Sequence, residues 1–204
     1  MKKIIFSLFI TFTLLILSNV ESIGQCPSCP SPYVSASFQF TLPNGCGPIT
    51  VNYCRDCSPT GHPIVKLCSV EIPYYITQCQ NLQLGYSFWD EVKRQTLLNM
   101  YVYCINLEIL PCPQRTVVEF YNANCMTVEA DITSQFWNLV PCEQDAGICM
   151  QEWTLCWDYN HPGEGKLVLE RNGSAVIIEE GSCGFTEPIL NSQTFSYPCF
   201  NICN

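Results

Sequence analysis

Short runs of alternating apolar and polar residues fill most of the chain beyond residue 33. The run VSASFQFTL (34–42) alternates in part and stops at Pro43-Asn44-Gly45. Proline presets its own φ, and Asn and Gly tolerate positive φ, so a turn is expected there. ITVNYC (49–54) then follows as the partner strand. KLVLE (166–170) and SAVIIEE (174–180) flank Arg171-Asn172-Gly173. Asn-Gly suits a two-residue type I′ turn, which predicts a second hairpin. TVVEFY (116–121) and MTVEA (126–130) predict a third around Asn122-Ala123-Asn124. One segment breaks the pattern. In SFWDEVKRQTLLNMYVYC (87–104), Trp89, Val92, Thr96 and Leu97 recur at near-helical spacing. Ser87, with Asp90 three residues on, resembles a capping box. A helix of about three turns near 87–99 is expected.

The hairpins echo one another. CPSPYVSASFQFTLPNGC (29–46) resembles CPQRTVVEFYNANC (112–125): a Cys-Pro start, a β-rich run, an asparagine turn and a cysteine after it. GPITVNYCRDCSPTGHPIVKLCSVE (47–71) aligns loosely with MQEWTLCWDYNHPGEGKLVLE (150–170), each with a strand ending in Cys, a polar loop reaching His-Pro, and a strand beginning near a lysine. Phe88-Trp89 and Phe136-Trp137 are a further possible pair. The echoes predict a mainly β, disulfide-rich, antiparallel sandwich-like fold built from related hairpin units. The units are expected at 25–110, which includes the helix, and 111–204, packed as two domains or as one compact domain.

The N-terminus reads differently. Lys2 and Lys3 precede the apolar run IIFSLFITFTLLIL (4–17), and Ser22 and Gly24 supply small residues before Gln25. This is the pattern of a secretory signal peptide, residues 1–24, cleaved before Gln25, and its Lys start and Ile/Phe/Leu core resemble bacterial signals. The run is short for a membrane span, so none is expected after cleavage. A lipid anchor on Cys26 is the competing reading, but a bacterial lipobox wants a small residue where Gln25 stands.

Export changes the meaning of the cysteines. All sixteen lie in the mature part: Cys26, Cys29, Cys46, Cys54, Cys57, Cys68, Cys79, Cys104, Cys112, Cys125, Cys142, Cys149, Cys156, Cys183, Cys199 and Cys203. An even, dense set in an exported chain implies a disulfide framework of eight bridges, whose pairing the sequence leaves open. The loss of Lys2, Lys3 and Glu21 takes the formal charge from −9 to −10. That balance, with no basic cluster beyond Lys93-Arg94, argues against nucleic acid and anionic membrane as partners.

Candidate chemistry is thin. Cys26-Pro-Ser-Cys29 and Cys54-Arg-Asp-Cys57 are C-x-x-C pairs with 24 residues between them, a zinc-ribbon spacing in a cytosolic protein. In an exported chain oxidation competes with zinc. A thioredoxin-like site needs its C-x-x-C after a strand and at a helix start, and Cys26 follows no strand. His follows neither motif, which excludes haem c attachment. In CWDYNHPGEG (156–165) the echo keeps His-Pro but loses the second cysteine of CRDCSPTGHP (54–63), which favours a stapled turn over a metal site. His62 and His161 are then loop residues. Neither H-E-x-x-H, G-x-S-x-G, a phosphate loop nor a D-x-D-x-D-G calcium loop is present. Glu179-Glu180, Asp90-Glu91 and Glu129/Asp131 read as solvated faces, although two carboxylates meeting in a cleft would serve a hydrolase. Asn172-Gly-Ser174 matches the N-glycosylation pattern, which the turn already explains. Trp153 and Trp157, around Cys156, share a strand face, where a core tryptophan packed on a disulfide is commoner than a sugar platform.

No catalytic, cofactor or metal residues are assigned. The expected function is an exported, disulfide-stabilised structural or binding protein, secreted or at the cell surface. Its expected partners are other copies of itself, another surface protein or a glycan, as in a subunit of an extracellular assembly. The alternatives are a secreted carboxylate-based hydrolase and a periplasmic thiol or zinc protein using Cys26, Cys29, Cys54 and Cys57.

Overall fold

The turn at Pro43-Asn44-Gly45 closes the first hairpin as its residues require. The Gly45 N–H donates to the Leu42 carbonyl, and the Asn44 side chain accepts from the Cys46 N–H. Strands β1 (Val34–Phe40) and β2 (Ile49–Asp56) then pair antiparallel, from Phe40 opposite Ile49 to Val34 opposite Arg55. In this computed structural model, residues 29–57, 62–104, 108–143, 146–160, 165–184 and 187–203 are described.

Strand β3 (Ile64–Pro73) pairs antiparallel with β2, and the register shifts at Asn52/Tyr53, where Cys68 is the extra residue. The bulge explains a break in the period-two pattern. Val65 and Leu67 are buried before it, Val70 and Ile72 after it. A single inserted residue keeps both pairs on the core side of the pleat.

The far edge of β3 is shared. Its start, Ile64–Lys66, runs parallel to β5 (Thr116–Ala123), and its end, Val70–Pro73, runs antiparallel to β7 (Phe136–Pro141). From β5 the sheet continues to β8 (Ile148–Asp158) and β9 (Lys166–Glu179), and from β7 to β6 (Cys125–Asp131) and β11 (Ser196–Asn201). The result is a curled nine-stranded sheet, mainly antiparallel, with β4 (Leu82–Gln83) and β10 (Ile189–Leu190) as a separate small pair. It takes strands from both sides of residue 110. Tyr53, Phe120, Trp137, Leu139, Leu155 and Phe200 are among the residues buried in its core.

Helix α1 (Tyr86–Tyr103) is longer than the sequence predicts, 18 residues or about five turns. Its cap is Gly85, not Ser87, and no side chain bonds to the cap. The buried face carries Phe88, Trp89, Val92, Lys93, Thr96, Leu97 and Met100, so the spacing of Trp89, Val92, Thr96 and Leu97 marks it correctly. The Trp89 indole N–H donates to Leu84 O, and Trp89 packs on Phe200 with ring centroids 6.4 Å apart.

Two expected hairpins are corrected. Residues 166–179 form one strand, β9, paired along β8. Asn172-Gly173 is a bulge within it: Met150 faces Val176 while Glu152 faces Asn172. Gly173 takes φ 72° there, and the Gln151 amide donates into the bulge at Gly173 O. The long strand β8 gives both halves a partner, so the Asn-Gly conformation bends the ribbon without reversing it. Likewise β5 and β6 are strands but not partners. Between them Asn124 is a buried corner: its N–H donates to Gly147 O, its carbonyl accepts from Ile202, and its side chain accepts from Asn201.

The echo has a counterpart in space. β1-β2-β3 and β5-β8-β9 are both three-stranded antiparallel units with the middle strand second. In each, the cysteine of the leading Cys-Pro is bridged to the cysteine two residues before the middle strand's end: Cys29–Cys54 and Cys112–Cys156. Phe88-Trp89 and Phe136-Trp137 do not correspond, one pair lying on α1 and the other on β7.

The remaining bridges are Cys46–Cys79, Cys57–Cys104, Cys125–Cys183, Cys142–Cys199 and Cys149–Cys203. Cys68 is also disulfide-bonded. The expectation for Cys26 lies outside the described residues.

Candidate functional site

Of the stretch 54–63, residues 58–61 lie outside the described residues, and residues 54–57 form an anchored strand end. Arg55 and Asp56 finish β2, and His62, before β3, is exposed. Neither C-x-x-C pair closes on itself. Cys54 is bridged back to Cys29 and Cys57 to the C-terminal end of α1 at Cys104, so three of the four proposed ligands have no free thiol. A thiolate metal site or a C-x-x-C redox couple needs those sulfurs unpaired or paired with each other. His161 lies outside the described residues.

A small cavity sits at the N-terminus of α1, lined by Tyr86, Asp90, Lys93, Glu187 and Asn201 among others. Helix periodicity puts Lys93 on the buried face, four residues after Trp89 and four before Leu97, and it is 5% exposed. Burial pushes its ammonium down to about 8; Asp90 opposes that shift and Arg171 adds to it. The Glu187 carboxylate accepts from the Gln83 amide (2.8 Å) and lies against Gly85, where a Cβ would stand 2.5 Å from it. A carboxylate there complements the helix dipole. The cavity measures about 10 Å³, room for one water and none for a sugar or peptide. Asp90 and Glu187 line the same cavity, which is not substrate-sized.

The other carboxylates are placed plainly. Glu71, half-buried in β3, has its pKa raised by burial, against the hydrogen bond it accepts from Asn52 (3.2 Å). At the β6–β7 turn the Ser134 side chain, then the Ser134 N–H and the Thr133 N–H, hydrogen-bond the Asp131 carboxylate, which holds its carboxyl below the usual range. Glu129, Glu179 and Glu180 are exposed, and Glu91 accepts from Gln95 (2.8 Å). Trp153 is buried and Trp157 half-buried, the latter tilted against the exposed Tyr159 at 6.4 Å. These two tryptophans form no flat platform.

The most unusual surface belongs to β9. It ends the strand order, and its second half is exposed on both faces: Val176, Ile177 and Ile178 are 53%, 50% and 53% accessible. Beside Ile178 an open groove of about 410 Å³ runs past Ile148, Tyr121, Pro141 and Lys66. Lys66 Nζ lies 4.0 Å from the Tyr33 ring centre, and Tyr121, bonded to Glu119, is pushed up to about 12 by burial and by that carboxylate. The sequence signal was visible as three apolar residues in a row before Glu179-Glu180. Read as half of a hairpin, they would have had one covered face.

No protein-family model, no curated protein and no solved structure matches this chain. Among the described residues no helix is long and apolar enough to cross a membrane.

Proposed function

We propose that the chain is a disulfide-stabilised structural or binding protein of the cell surface or extracellular space, acting as a subunit of an assembly. The uncovered edge of β9, with three exposed aliphatic residues in a row on a disulfide-stapled sheet, carries this reading. Sheet edges that stay long, apolar and exposed add strands from other chains, and a framework of bridges suits an oxidising compartment. The cleaved leader of residues 1–24 belongs to the same proposal, as do related units at 25–110 and 111–204. The matching Cys-Pro bridges of the two three-stranded units support the latter.

The test is to express the whole chain in a secreting bacterial host. The intact mass of the exported protein, after thiol blocking before unfolding, and its native mass at the cell surface are then measured. A chain beginning at Gln25, with no blocked cysteine and a native mass above the monomer, is the expected result. Blocked cysteines at the C-x-x-C pairs, or a protein that stays in the cytoplasm, would overturn it.

A further inference from the structure

We infer that Asn172 is a self-modifying site: the Asn172-Gly173 step of β9 deamidates without an enzyme, to aspartate and isoaspartate. The product acts on the fold by loosening the outer half of β9 from β8. The inference stands apart from the assembly reading above.

The chemistry belongs to the dipeptide. The Gly173 backbone nitrogen attacks Asn172 Cγ and loses its proton to solvent. The Cγ–Nδ2 bond breaks, Nδ2 takes a proton from solvent and leaves as ammonia, and a cyclic imide remains. Water then opens the imide at either carbonyl. One opening gives aspartate; the other gives isoaspartate, with the main chain routed through the former side chain. Glycine permits the attack because no Cβ shields its nitrogen and its backbone turns freely.

The chain holds two Asn-Gly steps, Asn44-Gly45 and Asn172-Gly173, and only the fold tells them apart. In the β1–β2 turn both reacting groups are held. The Gly45 N–H donates to Leu42 O (2.9 Å), and Asn44 Oδ1 accepts from the Cys46 N–H (3.0 Å). The bulge in β9 is more open. Its register passes from Asn172 opposite Glu152 to Val176 opposite Met150, so Gly173, Ser174 and Ala175 have no Cα partner on β8. Asn172 and Gly173 are exposed, and nothing lies within 4 Å of a Cβ position on Gly173. The Asn172 side chain is held by one hydrogen bond, from Nδ2 to Glu152 (2.8 Å).

The consequence follows from that bond. Aspartate at 172 sets a second carboxylate where Nδ2 now donates to Glu152, and like charges opposed across an antiparallel pair destabilise it. Isoaspartate adds a backbone atom ahead of Val176 and Ile177, which displaces their register on Met150 and Cys149. The exposed outer half of β9 is then the part that lets go.

The test is to age the exported, disulfide-intact protein in mildly alkaline buffer and map its peptides by mass spectrometry, with isoaspartate labelled by a protein carboxyl methyltransferase. The reduced, unfolded chain is aged beside it, where both Asn-Gly steps should react alike. In the folded protein Asn44-Gly45 has two further hydrogen bonds at its reacting groups, so Asn172 should convert roughly tenfold faster or more. Gly173→Ala should slow the conversion and Asn172→Gln abolish it, with near-UV circular dichroism checking the fold of each. Hydrogen exchange should find the amides of 176–178 less protected in the aged protein, and unchanged in aged Asn172→Gln. Asn172 intact in the folded protein while the unfolded chain reacts, or equal conversion at Asn44 and Asn172 in the folded protein, overturns the inference. Isoaspartate at 172 with undiminished protection along β9 overturns the consequence drawn for the fold.

Discussion

Lys93 shows what one residue does to the energetics. Its ammonium is buried beside Trp89 with Asp90, Glu187 and Arg171 around it, and the folded pKa falls to about 8 from 10.5. A depressed amine pKa means the unfolded chain binds the proton more tightly. The burden on the fold is fully present below pH 8 and is relieved as the pH rises from 8 towards 10.5. Lys93→Met should therefore stabilise the protein at pH 7, on the order of 1–3 kcal/mol. The gain over the unaltered protein should shrink across that alkaline window, read as the difference in urea midpoints. A gain independent of pH would show that packing, not charge, is responsible. The helical position of Lys93 could be read from the sequence; its carboxylate neighbour Glu187 could not, because only the β4–β10 pairing brings it there. Gly173 is a second case. At φ 72° with open space around it, Gly173→Val should cost about 1–2 kcal/mol through backbone strain, and Gly173→Asn less, by thermal unfolding.

At the scale of elements, α1 is held by its apolar stripe and by a staple at its last turn. Leu97 is fully buried, and Leu97→Ala should cost about 2–5 kcal/mol by denaturant unfolding. Tyr53 ties β2 to the same helix by donating to Asn99 (2.7 Å), and burial raises the pKa of its hydroxyl. The stripe was legible because the 3.6-residue period is local. The helix ends were not. Gly85 caps the helix with backbone alone, and its end at Cys104 coincides with the bridge to Cys57, a partner 47 residues away. Strand positions were legible for the same reason as the stripe, whereas hairpin partnership was not. The Asn-Gly signal specifies a backbone conformation, and that conformation serves a bulge as well as a reversal.

For the whole molecule, three bridges of similar span, Cys125–Cys183, Cys142–Cys199 and Cys149–Cys203, fasten the C-terminal segment to β6, β7 and β8. Phe200 and Ile202 within it are core residues. The last two bridges close nearly the same loop, so either alone retains much of the chain restriction. Replacing Cys142 and Cys199 by alanine should cost about 3 kcal/mol, and so should replacing Cys149 and Cys203. All four replacements together should exceed the sum by roughly 1 kcal/mol. Strict additivity in that double-mutant cycle would show that the bridges act through local packing and not through chain entropy.

Composition and local period alone determined that this is a disulfide-rich, mainly β chain with one helix, and which helix face is buried. Those properties depend on neighbours a few residues apart. The sequence also held an echo that recurs as two three-stranded units with equivalent bridges. Tertiary structure decided which cysteines pair, where β3 divides its far edge between β5 and β7, and that residues 166–179 form one uncovered strand. Each of these depends on segments brought together from tens of residues apart. Whether an apolar run is covered is settled by what packs against it, which the run itself does not encode.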